Sequence, residues 1–187
     1  MSEKLYAVGT FNFDIDGIVK RAEQQQFNEA NQKRQDGSSF RDSKVTWINK
    51  WPELEGYTKR LVNFVNNQHW QYQLDMIEPL QFSHYSKGDY YDWHSDNHGS
   101  KYINNKIRKI SFAINLNEDY EGGEFEFTTL RGGKDIPTFN TINVNKKENM
   151  KTGSMIIFPS HIWHRVKPVT KGIRKSLVGW IVGNPFV

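Results

Sequence analysis

The chain of 187 residues contains no cysteine. That excludes a disulfide framework and any thiolate-ligated metal, so a metal site here must rest on His, Asp, Glu or carbonyl oxygen. No apolar run approaches the length of a membrane span. The opening Met1-Ser2-Glu3-Lys4-Leu5-Tyr6 lacks the apolar core of a signal peptide, and the expectation is a soluble, cytoplasmic protein. Charge of one sign is nowhere concentrated. Lys and Arg number 25 against 21 Asp and Glu, a formal net charge of +4. Without a basic cluster there is no strong nucleic-acid signal.

Apolar residues make up a modest 36%, but six Trp, eight Tyr and twelve Phe can supply a core. The length suits one domain. Its first part reads as helical support over residues 1–70, and its second as a catalytic core over 71–187. Asp14 or Asp16 can cap a helix carrying Ile15, Ile18, Val19 and Ala22 on one face, followed by a polar stretch through Glu29. Residues 31–43 read as a loop with turn chemistry at Asp36-Gly37-Ser38-Ser39. A second helix is expected from Pro52 or Glu53 to about Gln68, with Leu54, Leu61, Phe64 and Val65 as its apolar stripe.

From residue 71 the period changes to two. Leu80, Phe82 and His84 alternate with Gln81, Ser83 and Tyr85, and Ile110, Phe112, Ile114 and Leu116 with Ser111, Ala113 and Asn115. Phe125 and Phe127, Met155–Phe158, Ile162–Val166 and Leu177–Val182 continue the pattern between glycines. Many short strands at such spacing predict a mainly β fold with N-terminal helices (α+β), either jelly roll or barrel. Residues 131–151 read as a polar hairpin.

Chemistry concentrates at two places. His94-Ser95-Asp96 puts an imidazole and a carboxylate two apart, on one face of an extended segment. Seventy residues later His164 precedes Arg165-Val166, and Arg174-Lys175-Ser176 follows. Two histidines and a carboxylate can occupy one face of a ferrous ion. His161 and His98 are rival ligands, whereas His69 and His84 have no motif around them. Arg174, Ser176, Val178 and Trp180 share a strand face. An arginine aimed into a barrel needs a negative partner, and a small-molecule carboxylate is one such partner. An ordinary ion pair with Asp or Glu is the plainer alternative. A zinc hydrolase can also use two histidines and a carboxylate, but would not need Arg174-x-Ser176.

These motifs carry a family resemblance. Tyr85-x-x-Gly88-x-x-Tyr91-x-x-His94-x-Asp96, Arg108-Lys109-Ile110-Ser111, Leu116-Asn117 leading to Tyr120-Glu-Gly-Gly-Glu-Phe125, His164-x-Val166, Arg174-x-Ser176 and Trp180 occur in order. Together they resemble the 2-oxoglutarate- and Fe(II)-dependent dioxygenases, specifically the prolyl 4-hydroxylase-like branch, over roughly residues 41–183. The resemblance implies a double-stranded β-helix, the cupin-like jelly roll. It implies His94, Asp96 and His164 as iron ligands. It also implies Arg174 with Ser176 on the distal carboxylate of 2-oxoglutarate, Tyr85 on the same cosubstrate, and Tyr91, Arg108 and Trp180 near the substrate. Fe(II), 2-oxoglutarate and O2 follow as cofactor and cosubstrates, and ascorbate as a further cofactor. The implied partner is a peptide or protein containing proline. A free amino acid, another side chain or a methylated nucleobase would use the same chemistry, and a non-catalytic metal-binding jelly roll is the contrasting reading. One position departs from the family: Asn115 stands where some prolyl hydroxylases have a second cosubstrate tyrosine.

Overall fold

The computed structural model describes residues 4–97, 105–128, 141–144 and 151–186. Strand β1 (Ala7–Thr10) leads into helix α1 (Ile15–Glu23). The Asp14 carboxylate accepts from Gly17 N at 2.9 Å, which caps that helix. Ile18 and Ala22 are its buried positions, and the helix stops where the polar stretch begins. Strands β2 (Asn28–Glu29), β3 (Gln32–Lys33), β4 (Ser39–Asp42) and β5 (Lys44–Trp47) precede α2 (Pro52–His69). Besides the two expected helices, the first seventy residues therefore supply five strands.

Two expectations for this region need correction. Residues 31–43 are a hairpin rather than a loop, because β3 pairs with β4 across the predicted turn. The turn chemistry itself holds. Asp36 accepts from Ser38 N at 3.0 Å, and Gly37 takes φ +80°, a backbone region that favours glycine. The expected apolar stripe of α2 holds at Leu54, with Leu61 and Val65 partly buried against the core, and fails at Phe64. Its buried line is Leu54, Thr58, Val62 and Asn66, while Phe64 is 63% exposed. The two polar members are satisfied locally. Thr58 Oγ1 donates to Leu54 O at 2.8 Å, and the Asn66 carboxamide clasps both backbone groups of Tyr72. A buried polar group with its hydrogen bonds made costs little, so the stripe can pass through it.

The rest of the chain is strand: β6 (Met76–Ile77), β7 (Gln81–Tyr85), β8 (Tyr90–His94), β9 (Ile107–Asn115), β10 (Tyr120–Gly122), β11 (Phe125–Thr128), β12 (Thr141–Asn143), β13 (Ser154–Pro159), β14 (Trp163–Val166), β15 (Val169–Gly172) and β16 (Arg174–Gly183). The larger sheet runs β1-β13-β9-β16-β7-β5-β2, with β6 also on β16. The smaller runs β12-β11-β14-β8-β4-β3, and β10 with β15 forms a two-stranded pair. The fold is the expected jelly roll. Most of residues 131–151 lies outside the described residues, but Thr141–Asn143 pairs with β11.

The two faces of the larger sheet do different work. Phe82, Ile110, Phe112, Ile114, Leu177 and Ile181 pack toward the helices, with Ile18, Leu54 and Val62 against them. The opposite face carries Ser83, Ser111, Ala113 and Ser176, all buried and all small. Phe125 and Phe127 of the smaller sheet meet Phe158 of β13 in a second apolar cluster between the sheets. Small residues on one inner face leave room there, and that room is the site.

The corrected stripe has a measurable consequence. Leu54→Ala should lose about 2–5 kcal/mol of unfolding free energy, as buried leucines do. Phe64→Ala should stay within about 0.5 kcal/mol of the parent in the same urea titration. A comparable loss in Phe64→Ala would restore that residue to the stripe.

Candidate metal centre and its cavity

The antiparallel register of β14 on β8 sets His164 directly opposite His94. Their ring centroids are 4.1 Å apart. Asp96 follows two residues after His94, and its backbone N–H donates to Ser160 O at 2.9 Å. That bond ties the segment after β8 to the turn after β13. The Asp96 carboxylate then lies 3.8 Å from His94 Nε2 and 3.6 Å from His164 Nε2. All three residues are buried, with donor atoms within 4.8 Å of one another.

Each histidine is oriented the same way. Nδ1 of His94 lies 2.8 Å from Asp92 O, and Nδ1 of His164 lies 2.9 Å from Ile162 O. A carbonyl can only accept, so each Nδ1 carries the proton and each Nε2 presents a lone pair. Burial, with the neighbouring His164, holds the His94 pKa well below 6.5 and keeps the ring neutral. Burial alone would raise the Asp96 carboxyl. His164 and His94, then Ser111 and the Trp180 indole, outweigh it and bring the pKa to about 2. The indole Nε1 faces this carboxylate without completing a hydrogen bond. Two neutral imidazoles and an ionised carboxylate form a donor set suited to a divalent ion with open coordination positions.

A cavity of ≈ 300 Å³ opens beside these donors. Every residue expected at the site from sequence lines it: the triad, Tyr85, Tyr91, Arg108, Arg174, Ser176 and Trp180. Arg174 is 5% exposed and donates from Nη1 to Ser176 Oγ at 3.1 Å. Its Nε is buried with no hydrogen-bond partner. The ion-paired arginines among the described residues are Arg34, Arg108 and Arg165, so no acid neutralises Arg174 there. A buried guanidinium with an idle donor fits a ligand carboxylate. The Tyr85 ring lies 5.6 Å from its Cζ. Tyr91 stacks on His94 at 3.5 Å with 9° between planes.

Arg108 lines the cavity and is paired with an acid of the same chain. Nε and Nη2 bond both oxygens of Glu78, at 2.9 and 2.7 Å, and Cζ sits 3.8 Å over the Trp180 ring. The departure at Asn115 also has an account. Its carboxamide accepts from Tyr120 Oη at 3.0 Å and donates to Asn117 O at 2.7 Å, and it does not line the cavity. Of the rival histidines, His161 is exposed and outside the cluster, and His98 lies outside the described residues. Neither His69 nor His84 reaches the cavity. Sequence reading missed Gln81 and Ser83 on β7, and Phe40, Arg41 and Trp47 at the opening. Among the described residues, no helix is long and apolar enough to cross a membrane.

The sequence model of the 2OG-Fe(II) oxygenase superfamily matches residues 80–182. A PKHD-type hydroxylase of Synechococcus sp. strain CC9902 is 36% identical over 107 residues, 56% of this chain. The chain spans only 41% of that relative's length. Among solved structures, a Pseudomonas putida prolyl-4-hydroxylase superposes with a TM-score of 0.69 at 18% identity, covering 96% of this chain and 93% of that one. A viral collagen prolyl hydroxylase from Paramecium Bursaria Chlorella virus-1, solved with 2OG, gives 0.67 at 18% identity, covering 96% and 97%.

Loss of a metal ligand should exceed the effect of losing a group that merely orients one. His94→Ala, Asp96→Ala and His164→Ala should each weaken Mn(II) or Fe(II) binding by more than about a hundredfold in calorimetric titration. His161→Ala should bind as the parent does. Binding that depends on His161 and survives without His164 would discard the triad.

Proposed function

The chain belongs to the 2OG-Fe(II) oxygenase superfamily, and from that premise we propose that it hydroxylates a prolyl residue in a peptide or protein. Arg174 carries the reading: a buried arginine without an acidic partner, its Nε idle, in the same cavity as His94, Asp96 and His164. The residues present suit both groups that the family uses. The triad would hold Fe(II) through two Nε2 atoms and one carboxylate. Arg174 and Ser176 would hold the distal carboxylate of 2-oxoglutarate, with Tyr85 beside it. Together, bound iron and cosubstrate supply the oxidation, which converts 2-oxoglutarate and O2 to succinate and CO2 as the substrate gains a hydroxyl.

The chain's own contribution is placement. Ser176 fixes one Nη of Arg174, which leaves the remaining guanidinium donors for the carboxylate. The carbonyls of Asp92 and Ile162 keep both imidazoles in the ligating tautomer. Phe125 and Phe158 pack at 5.4 and 4.7 Å from His164 and keep water from that side. Near the opening, the rings of Trp180 and Trp47 lie 6.4 Å apart, apolar surfaces suited to a pyrrolidine ring. The Glu78–Arg108 pair stacks on the Trp180 ring and holds it in place. The prolyl substrate is supported by these walls and by the names of the two structural neighbours.

Two outcomes test the reading. Arg174→Ala should still bind metal but lose about 2–5 kcal/mol of 2-oxoglutarate affinity, as when one partner of a buried charge pair is removed. An unchanged 2-oxoglutarate dependence would remove the main support. Proline peptides, free proline and methylated oligonucleotides should then be compared under identical Fe(II), O2 and 2-oxoglutarate, with products read by mass spectrometry. Hydroxyproline should form only in the peptides and fall sharply in Trp180→Ala. Substrate-coupled succinate with the oligonucleotide, and none with any peptide, would overturn it.

A further inference from the structure

The cavity contains a second buried arginine that nothing above employs. Arg41 stands on β4, a strand brought to the site by pairing with β8, where Arg41 is opposite Tyr91. It is 7% exposed and lines the cavity. Its Nε donates to Ser43 Oγ at 3.0 Å. Its Cζ lies 4.5 Å over the Tyr91 ring, and the His94 imidazole stacks against that same ring at 3.5 Å. Two groups this close to one ring occupy opposite faces, so guanidinium, phenol and imidazole form one column ending at the triad. The Tyr91 ring thereby offers Arg41 a π face.

Among the described residues, neither Nη of Arg41 has a hydrogen-bond partner, and neither is fully buried. No described acid pairs with it, because the ion-paired arginines are Arg34, Arg108 and Arg165. The charges in the cavity sharpen the point. Glu78 neutralises Arg108, and Asp96 offsets one of the two arginines left. A ferrous ion and the 2-oxoglutarate dianion would cancel each other. One positive charge then has no described counterpart, in a site where an unpaired charge is costly.

Resting on the dioxygenase reading, we propose that Arg41 is a specificity-determining residue that binds a carboxylate of the substrate. The substrate class is then an anionic prolyl compound. Its carboxylate is either an acidic side chain flanking the proline or the terminal carboxylate of a C-terminal proline. A planar fork with both Nη groups free suits bidentate recognition of either. The Arg41–Tyr91–His94 column sets the distance between that carboxylate and the reacting position. Tyr91 thereby serves as a spacer as well as a wall.

The test is a binding titration on the full chain loaded with Mn(II) and 2-oxoglutarate under nitrogen. The probes are capped, amidated peptides with one Pro flanked by Glu on either side, their Gln counterparts, a Gln-Pro peptide with a free C-terminal carboxylate, and Glu peptides with Ala in place of Pro. Any carboxylate member should bind about tenfold more tightly than its neutral counterpart, the worth of one charge-assisted contact. The member that gains identifies the source of the carboxylate. Arg41→Gln should erase the difference, and Arg41→Glu should shift preference to Lys-flanked peptides. Equal binding of acidic and neutral probes, absence of binding by every carboxylate probe, or a preference that survives in Arg41→Gln would each overturn the proposal. An acid preference that also appears with the Ala peptides, with no peptide hydroxylated in air, would sink the prolyl reading and leave Arg41 standing.

Discussion

One cross-strand pairing organises this molecule. The register of β14 on β8 places His164 beside His94, and nothing downstream of that alignment can be moved independently. A slip of one residue in either strand would turn that strand's histidine to the other face of the sheet. The backbone carbonyl that holds its Nδ1, two residues before it, would leave with it. Asp96 depends on the same register at one remove, because its N–H is tied to Ser160 at the end of β13. Hydrogen bonds of backbone to backbone thus set the geometry of a site whose chemistry is entirely side-chain.

The second constraint is charge in a small dry space. Asp96 stays ionised although burial opposes it, because two imidazoles face it and Ser111 stands near. Arg174 stays buried although no described acid neutralises it. A fold stabilised by only about 5–15 kcal/mol does not carry such a group without return. The helix-side core, with Phe82, Phe112 and Leu177 fully buried, is what allows the inner face to be so polar. Stability and chemistry are separated by the thickness of one strand.

Much of this was legible in the residues because the relevant periods are short. His94 and Asp96 share a face two apart, and Arg174, Ser176 and Trp180 follow the same rule on β16. The alternation along β9 set Ile110, Phe112 and Ile114 apart from their neighbours, and these three belong to the helix-side core. What stayed hidden was of two kinds. Arg41 sits in a four-residue strand inside a polar stretch, where composition says loop and pairing with β3 and β8 makes a strand. Thr58, Asn66 and Arg108 take positions that depend on partners remote in sequence or on local hydrogen bonds, and an apolar pattern cannot register either. Glu78 was passed over for the same reason: its role exists only once Arg108 is beside it.

The small residues on the inner face have a further consequence. Ser83, Ala113 and Ser176 define the cavity by what they do not fill, whereas their strand neighbours Phe82, Phe112 and Leu177 anchor the opposite face. Exchanging one of the small residues for a larger one alters the shape of the chamber and leaves the helix-side packing intact. Divergence in such a scaffold can proceed one side chain at a time. New acceptors can be fitted by trimming or padding a wall, while the register that sets His94 beside His164 stays as it is.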